Sequence, residues 1–247
     1  MLKCRPLESV APHVFTTRGV PLVSDEDWQR IGEMLGAGEM ALLTQVHGAH
    51  VVVLRQGGGA PAPSGRPPAD ILVSNRPETA VAVRAADCVP LLLADSRTGA
   101  VAAVHAGWRG TAAGAARTAV AAMVREFGTV PEHLVAAIGP SIRSCCYGVG
   151  RELVDAFAAA GHPSRVIDRW FAPPAGSSLR LDLPQANRDQ LMEMGVPDAH
   201  IHDCGLCTAM HLDVLTSYRV EKETAGRIVA VIRRRENVAR PPDPSLR

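Results

Sequence analysis

Residues 89–127, VPLLLADSRTGAVAAVHAGWRGTAAGAARTAVAAMVREF, determine the fold class that the sequence predicts. Two short apolar runs, 89–94 and 100–104, are typical of strands that are buried on both faces. A glycine-containing turn follows, and then apolar residues recur at three- and four-residue steps, which predicts a helix over 111–127 that ends at Gly128. The stretch therefore indicates a protein in which buried strands and helices pack against each other.

Apolar runs bounded by turn residues predict further strands, and periodic segments predict further helices. The predicted strands cover 51–54, 71–73, 80–84, 134–138 and 227–233, and those between 71 and 104 number either four or three with a break at Pro90. The predicted helices cover 151–160 and 184–194. Glycine and proline predict a surface loop at 56–68 and a disordered tail at 240–247. Because there is no internal repeat and no clear linker, residues 1–239 are predicted to form a single catalytic domain.

The composition is that of a globular protein whose overall charge does not favour binding to nucleic acid or to a membrane. Of 247 residues, 47% are hydrophobic and only 4% are aromatic, and the formal net charge is +1. We therefore expect no nucleic-acid partner and no membrane partner. The N-terminus lacks an apolar signal run and no apolar stretch reaches about 18 residues, which predicts a cytoplasmic protein. The six cysteines are better explained by metal binding, catalysis or burial than by a disulfide framework.

Three side chains that commonly ligate metals stand in short hydrophobic, strand-like stretches. They are His47, Cys88 and His105, each beside glycine, proline or an acid. Two imidazoles and a thiolate suit zinc, and three protein ligands leave a fourth position for water or substrate, as in catalytic zinc sites. Their spacing matches no short zinc-finger framework, so burial without a metal stays open for each residue alone.

Charged residues near these positions have both functional and ordinary interpretations. Asp87 precedes Cys88 and is either a hydrogen-bond partner or proton carrier of the site or a turn former. Arg18 and Arg109 lie in glycine-flanked, polar surroundings suited to binding an oxyanion, or they form surface salt bridges. The turn after His105 would place Arg109 at a helix N-terminus, where an anion is favoured.

Four further cysteines form two local patterns. Cys145 and Cys146 are adjacent in a loop, where one is either a nucleophile or simply buried. Cys204 and Cys207 form a Cys-x-x-Cys with histidines nearby, which is compatible with a structural zinc site, a redox pair or burial. The glycine run at 57–59 matches neither a P-loop nor a dinucleotide fingerprint.

Several motifs occur in an order typical of one family. They are QVHG at 45–48, ADCVPLLL at 86–93, VHAGWRG at 104–110, IGPSI at 138–142 with CCY at 145–147, LDLPQAN at 181–187, Cys204-x-x-Cys207-Thr208 and SYR at 217–219. Over roughly residues 14–232 the chain resembles the bacterial purine nucleoside phosphorylase family, long labelled polyphenol oxidase or laccase-domain (multicopper oxidase-like) proteins. It departs from that pattern in a shorter segment after Arg18 and in Val220, where a second arginine is common.

The resemblance implies an α+β fold, a layered sandwich of mixed β-sheets flanked by helices. It also implies a zinc ion bound by His47, Cys88 and His105, with copper as the alternative metal. The implied reactions are phosphorolysis of adenosine, inosine and S-methyl-5′-thioadenosine and deamination of adenosine, so the partners are a purine nucleoside and phosphate; a homo-oligomer stays open. The expected catalytic residues are these ligands and Asp87, and the expected substrate-binding residues are Arg18, Gln45, Arg109, Cys145 and Asn187.

Two other functions remain open at this point. One is a copper-dependent polyphenol oxidase, although a laccase needs repeated His-x-His pairs and His200-x-His202 is a solitary match. The other is a cysteine hydrolase in which His105 acts as base toward Cys88. Metal content separates the hydrolase from the zinc enzyme, because a thiolate that ligates a metal is not free to attack a substrate.

Overall fold

A computed structural model describes residues 1–20, 24–57, 65–171 and 179–236 of the chain. The predicted tail at 240–247 lies outside the described residues, and so do residues 58–64 of the loop predicted at 56–68. None of the helices in the described part of the chain has the length and apolar character needed to cross a bilayer.

The described residues form ten strands and eight α-helices. The strands are β1 (His13–Phe15), β2 (Glu39–Ala41), β3 (Val51–Leu54), β4 (Ile71–Ser74), β5 (Thr79–Ala85), β6 (Val89–Asp95), β7 (Val101–Ala106), β8 (Leu134–Ile138), β9 (Ile201–Asp203) and β10 (Ile228–Arg233). The helices are α1 (Arg5–Glu8), α2 (Asp25–Met34), α3 (Trp108–Ala112), α4 (Ala115–Phe127), α5 (Arg151–Ala159), α6 (Ser164–Trp170), α7 (Leu183–Glu193) and α8 (Tyr218–Glu221).

The strands build two mixed sheets. One has the order β1-β10-β5-β2, in which β2 and β5 are parallel and β10 pairs antiparallel with both neighbours. The other has the order β3-β4-β7-β6-β8-β9, in which β3 with β4 and β8 with β9 are parallel. In the first sheet β10, although it is the last of the described strands along the chain, lies between two strands from earlier parts of the sequence.

The two sheets stack face to face, and helices cover both outer faces. Successive side chains of a strand point to opposite faces, so alternate residues of β6 enter two different cores. Leu92 packs between the sheets, whereas Leu91 and Leu93 pack against the helices, and all three are fully buried. Burying a leucine side chain contributes about 1.5–3 kcal/mol to stability. Because both faces of these strands are buried, their sequences are continuous apolar runs. Trp28 of α2 covers the other sheet. The predicted layered α+β sandwich is confirmed.

The segment predicted as one helix over 111–127 is two helices. The first, α3, begins at Trp108, and Gly114 separates it from α4 because its backbone is left-handed, with φ of 77°. Glycine adopts this conformation without the steric cost that other residues have. The end of α4 at Gly128, also left-handed, is as predicted.

The alternative of a strand break at Pro90 is wrong, because Pro90 lies inside β6. Its partner across the sheet is His105, whose N–H donates to the Asp70 carbonyl oxygen on the other side of β7. His105 and Pro90 are therefore a non-hydrogen-bonded pair, so the proline removes no hydrogen bond between β6 and β7, while its carbonyl oxygen accepts from Gly139 N–H after β8. The four predicted strands between 71 and 104 form as separate elements.

Candidate metal centre and its cleft

The three predicted metal ligands meet in the structure. The ligand atoms of His47, Cys88 and His105 all lie within 4.8 Å of one another, and the two imidazole rings are edge-on with centroids 4.8 Å apart. Cys88 stands in the turn between β5 and β6, and His105 lies near the end of β7, beside β6. The neighbouring strands β6 and β7 therefore hold Cys88 and His105 at the same end of the sheet, where β6 begins and β7 ends.

His47 does not lie in a strand-like stretch, as the sequence predicted, but in a loop between β2 and β3. Its backbone φ is 62°, and that of Asp87 is 85°, two of the three non-glycine residues with positive φ in the described chain. Such conformations cost about 1–3 kcal/mol and persist where the surroundings impose them, often at functional sites. The loop directs His47 toward the sulfur of Cys88.

Asp70 organises this loop and was not identified from the sequence. Its fully buried carboxylate accepts hydrogen bonds from the backbone N–H groups of His47 at 3.0 Å and Gly48 at 2.7 Å. It also lies 2.8 Å from Nδ1 of His105, which leaves Nε2 of that ring for the cluster. A carboxylate behind a histidine ligand fixes the ring and increases its basicity. The available signal was an acid directly before a buried strand.

The cluster is strongly coupled electrostatically. Burial alone would raise the pKa of the Cys88 thiol, but hydrogen bonds to His105 and His47 and their charges lower it to about 6. Burial would likewise lower the pKa of His105, but hydrogen bonds to Asp70 and Cys88 raise it to about 9. Between these two values the pair is a thiolate beside an imidazolium, so Cys88 is in the protonation state that ligates metals.

Gly107 leaves room for the sulfur. A Cβ atom at this position would lie 2.8 Å from Sγ of Cys88 and 3.4 Å from Cδ2 of His47. We expect Gly107→Ala to weaken metal binding about tenfold, because overpacking costs roughly 1–3 kcal/mol and each 1.4 kcal/mol is a factor of ten. Gly38→Ala is the control, since a Cβ there meets nothing within 4 Å. Competition with a chromophoric chelator measures the effect; equal affinities in the two variants would contradict it.

The cluster opens into a cleft of about 760 Å³. Its described lining is rich in cationic side chains, namely Arg66, Arg84, Arg219, Lys222 and Arg227. Asp87 is the one carboxylate in that lining, and its two oxygens already accept hydrogen bonds from Thr208 Oγ1 and the backbone N–H of Arg219. Burial, and then the charges of Arg66 and Arg227, lower the pKa of Arg84. Clustered cations without carboxylate partners favour binding of an anion.

The two arginines predicted to bind an oxyanion are not among these lining residues. Arg18 donates to the Leu215 carbonyl oxygen at 2.9 Å and to Glu221 Oε1 at 2.7 Å, which corresponds to the ordinary salt-bridge interpretation. Arg109 is exposed and stacks on the Trp108 ring, with 4.3 Å between the guanidinium carbon and the ring centroid. The structure thus places other arginines in the cleft, and the oxyanion-binding role of Arg18 and Arg109 stays a prediction.

The other predicted substrate-binding residues lie in three different places. Gln45 lines the cleft, but its amide both donates to and accepts from the backbone of Arg84, at 2.7 and 2.8 Å. Asn187 is fully buried and donates to Thr111 Oγ1 and the Leu183 carbonyl oxygen. Cys145 is exposed and belongs to a separate group of thiols. Their predicted contacts with substrate stay predictions.

The fold and the site define an α+β sandwich protein with a His-Cys-His candidate metal centre in a cationic cleft. The chain belongs to the family described as multi-copper polyphenol oxidoreductase laccase, whose pattern it matches over residues 20–235.

Relatives of the chain carry names from nucleoside metabolism. A purine nucleoside phosphorylase of Bacteroides thetaiotaomicron is 38% identical over 66% of this chain, which spans 60% of that relative's length. The purine nucleoside phosphorylase YlmD of Geobacillus stearothermophilus is 35% identical over 78% of this chain and 71% of its own. The adenosine deaminase RL5 of an unknown prokaryotic organism is 41% identical over 56% of this chain and 52% of its own.

A solved structure shares the fold. The crystal structure of YlmD from Geobacillus stearothermophilus superposes with a TM-score of 0.72 at 30% identity, covering 92% of this chain and 90% of that one.

Proposed function

We propose that this chain is a zinc-dependent purine nucleoside phosphorylase that acts on adenosine, inosine and S-methyl-5′-thioadenosine and also deaminates adenosine to inosine. The observation that carries the proposal is the convergence of His47, Cys88 and His105 at a cleft lined with cationic side chains for which the described residues provide no ion-pair partner. Relatives named purine nucleoside phosphorylase and adenosine deaminase support it. We place the protein in the cytoplasm and expect neither nucleic acid nor a membrane as partner.

The donor set fits zinc. Two imidazoles and a thiolate, with Asp70 behind one imidazole, form the three-ligand arrangement of catalytic zinc sites. Zinc held there would supply Lewis-acid chemistry. Copper is the alternative ion, since two histidines and a cysteine also bind it. For a laccase, however, the described residues offer no further histidine cluster, because the other candidate group consists of three thiols.

The chain's own residues supply the contacts that phosphorolysis needs. Phosphate must lie beside the sugar carbon of the glycosidic bond, and charge must be stabilised as the bond to the purine breaks and the bond to phosphate forms. Arg84, with Arg66 and Arg227 near enough to affect its pKa, forms the cationic surface best suited to phosphate. Tyr147 lines the same cleft, and its ring, with the Arg219 guanidinium carbon 5.1 Å from the ring centroid, supplies aromatic surface for a purine.

Asp87 has a different role in this proposal from the proton carrier that the sequence suggested. Both carboxylate oxygens are engaged, at 2.5 Å by Thr208 and at 2.6 Å by the Arg219 N–H. We therefore assign Asp87 as a positioning residue that attaches the segment around Arg219 to the turn that carries Cys88.

The alternative of a cysteine hydrolase draws on one specific observation. The lowered pKa of Cys88, about 6, and the raised pKa of His105, about 9, describe a thiolate-imidazolium pair of the kind that activates a nucleophile. His47 contacts the same sulfur, which favours metal ligation instead. Activity that survives complete removal of metal would favour the hydrolase.

One assay tests the proposal directly. Purified protein, with and without chelator, is given adenosine in the presence and absence of phosphate, and adenine, ribose 1-phosphate and inosine are followed. We expect adenine and ribose 1-phosphate only with phosphate, inosine in either case, and loss of all three after metal removal. Release of adenine that ignores phosphate would contradict phosphorolysis. Oxidation of a phenol by the copper-loaded protein alone would support the oxidase instead.

Zinc uptake is expected to release about one proton from the Cys88–His105 pair near pH 7.5. With a pKa of about 6 Cys88 is already a thiolate there, whereas His105, with a pKa of about 9, loses its proton to become a ligand. Release should increase below pH 6 and fall above pH 9. Calorimetry in two buffers of different ionisation enthalpy counts the protons. If the number of released protons does not change with pH, the assignment is wrong. Cys204→Ala serves as the control that should release the same number of protons as the wild type.

Arg84→Gln and Arg227→Gln are each expected to raise the KM for phosphate about tenfold. A hydrogen bond to a charged group contributes about 1.5–3 kcal/mol, and the cleft is partly open to solvent, so the lower end applies. Arg97→Gln, an exposed arginine in the turn after β6, is the matched control. Initial rates at varied phosphate and saturating nucleoside give the KM. If both variants keep the wild-type KM, phosphate binds elsewhere.

A further inference from the structure

A second group of potential metal ligands lies outside the cleft lining. The sulfur atoms of Cys145, Cys146 and Cys207 all lie within 4.8 Å of one another, and those of Cys145 and Cys146 are 3.6 Å apart. Cys204, although close in sequence and part of the Cys-x-x-Cys pattern, does not belong to the group. Of the Cys-x-x-Cys pattern in the sequence, only Cys207 therefore joins Cys145 and Cys146.

The backbone builds this group from two segments that are distant in sequence. Ser141, which follows β8, forms a parallel bridge with Cys207, in which Thr208 N–H donates to the Ser141 carbonyl oxygen at 3.1 Å. A tight turn at Arg143, whose carbonyl oxygen accepts from the N–H of Cys146, places the two adjacent thiols opposite Cys207. The backbone hydrogen bonds of these two segments therefore set the positions of the three cysteines.

Cys207 is the most shielded member of the group. Its side chain is buried, with 4% exposed, and the backbone on either side of it is held by hydrogen bonds from Ser141 N–H to the Leu206 carbonyl oxygen and from Thr208 N–H to the Ser141 carbonyl oxygen. A ligand whose backbone is fixed in this way is held in place for an ion. Cys145 is exposed and Cys146 half-buried, so an ion can approach from that side.

We propose that Cys145, Cys146 and Cys207 form a second metal site, a three-thiolate site that binds one Cu(I) ion. Thiolate ligands select soft ions, chiefly Cu(I) and zinc. Structural zinc sites take four protein ligands, whereas among the described residues no histidine or carboxylate joins the three sulfurs. The all-sulfur, three-ligand set therefore favours Cu(I) over zinc, in contrast to the mixed His-Cys-His set of the cleft.

Hydrogen bonds to Asp87 connect both segments of the proposed site to the cleft; one of them comes from the N–H of Ile142, at 2.9 Å from the Asp87 carbonyl oxygen. Thr208, next to Cys207, donates to the carboxylate of Asp87, which precedes Cys88. An ion that fixes Cys207 would thus hold the segment that positions the turn of the catalytic cluster. The site does not rest on the proposed activity, because it depends on three sulfurs and their backbone surroundings alone.

Anaerobic titration of the zinc-loaded protein with Cu(I), against bicinchoninate as competing chelator, tests the site. We expect one Cu(I) per chain to be retained while zinc stays bound, as measured by metal analysis of the gel-filtered protein. Cys145→Ser and Cys207→Ser should each weaken retention at least about tenfold. Because Cys207 is buried and its variant can misfold, the exposed Cys145 variant carries the test.

Cys204→Ser is the matched control, since it removes an exposed thiol three residues from Cys207 that is not in the group. It should retain Cu(I) like the wild type. The proposal is overturned if the wild type retains no Cu(I), if Cu(I) enters only by displacing zinc, or if Cys145→Ser retains it as well as Cys204→Ser does.

Discussion

Cys88→Ala is expected to abolish metal binding and nucleoside turnover together. The sulfur is the one anionic donor of the cluster and lies within 4.8 Å of the ligand nitrogens of His47 and His105. Its loss also removes the charge that helps to keep His105 protonated in the metal-free protein. Loss of an outer hydrogen-bond partner alone typically costs 10–100-fold in metal affinity, so loss of a ligand should cost more than about 100-fold. Metal content per chain and phosphate-dependent release of adenine are measured on the same sample.

Cys204→Ala controls for the removal of a thiol as such, because Cys204 is exposed and lies outside the cluster. It should keep both the metal and the activity. A Cys88→Ala protein that turns over adenosine without metal would rule out the assignment of this residue as a ligand in a metalloenzyme.

Asp70→Asn is expected to lower metal affinity by about 10–100-fold and the free energy of unfolding by about 1–3 kcal/mol. Burial raises the pKa of Asp70, but hydrogen bonds from His105, Gly48 and His47 outweigh it, so the net shift is downward and the carboxylate is charged at neutral pH. An amide of the same shape has one acceptor oxygen and places N–H donors where the native protein has donors. The His105 ring and the His47 loop should both lose their fixed orientation.

Asp95→Asn is the matched control. Asp95 is also fully buried and accepts hydrogen bonds from Arg97 N–H at 2.8 Å and from Thr98, but it ends β6 at the opposite end from Cys88. It should lose stability to a similar degree and keep its metal affinity. Equal losses of affinity in the two variants would mean that Asp70 acts on the fold and has no specific role at the cluster. Chemical unfolding and chelator competition separate the two effects.

The sequence predicts the long buried strands well because both of their faces are apolar. Strands β3 to β8 and helices α5 and α7 lie within a residue or two of their predicted positions. The short strands β1, β2 and β9, of three residues each, have no repeating pattern, and they exist because a neighbouring strand pairs with them. The break at Gly114 depends on its left-handed backbone, which a periodic pattern does not reveal.

The sequence predicts those parts of the site in which residues that commonly bind metals stand in recognisable local motifs. Cys88 and His105 adjoin strands that pair with each other, so their convergence follows from the sheet. Asp70 could have been singled out by its place directly before a buried strand, whereas nothing in the immediate neighbours of the cleft residues Arg84 and Arg227 distinguishes them from surface charges. Pairing of β5 with β10 brings Arg84 and Arg227 together, and pairing of β4 with β7 brings Asp70 to His105; sequence periodicity does not specify which strands pair.

The position of β10 has a consequence for how the protein is made on the ribosome. Because β10 lies between β1 and β5, the N-terminal strand has no partner in this sheet until residues 228–233 have been synthesised. Arg219, Lys222 and Arg227 of the cleft precede that strand directly. Contacts between such distant parts of a chain form slowly. During translation the nascent chain therefore exposes an unpaired edge of β1 and one of β5, and these cationic cleft residues reach their places only when β10 pairs with both strands.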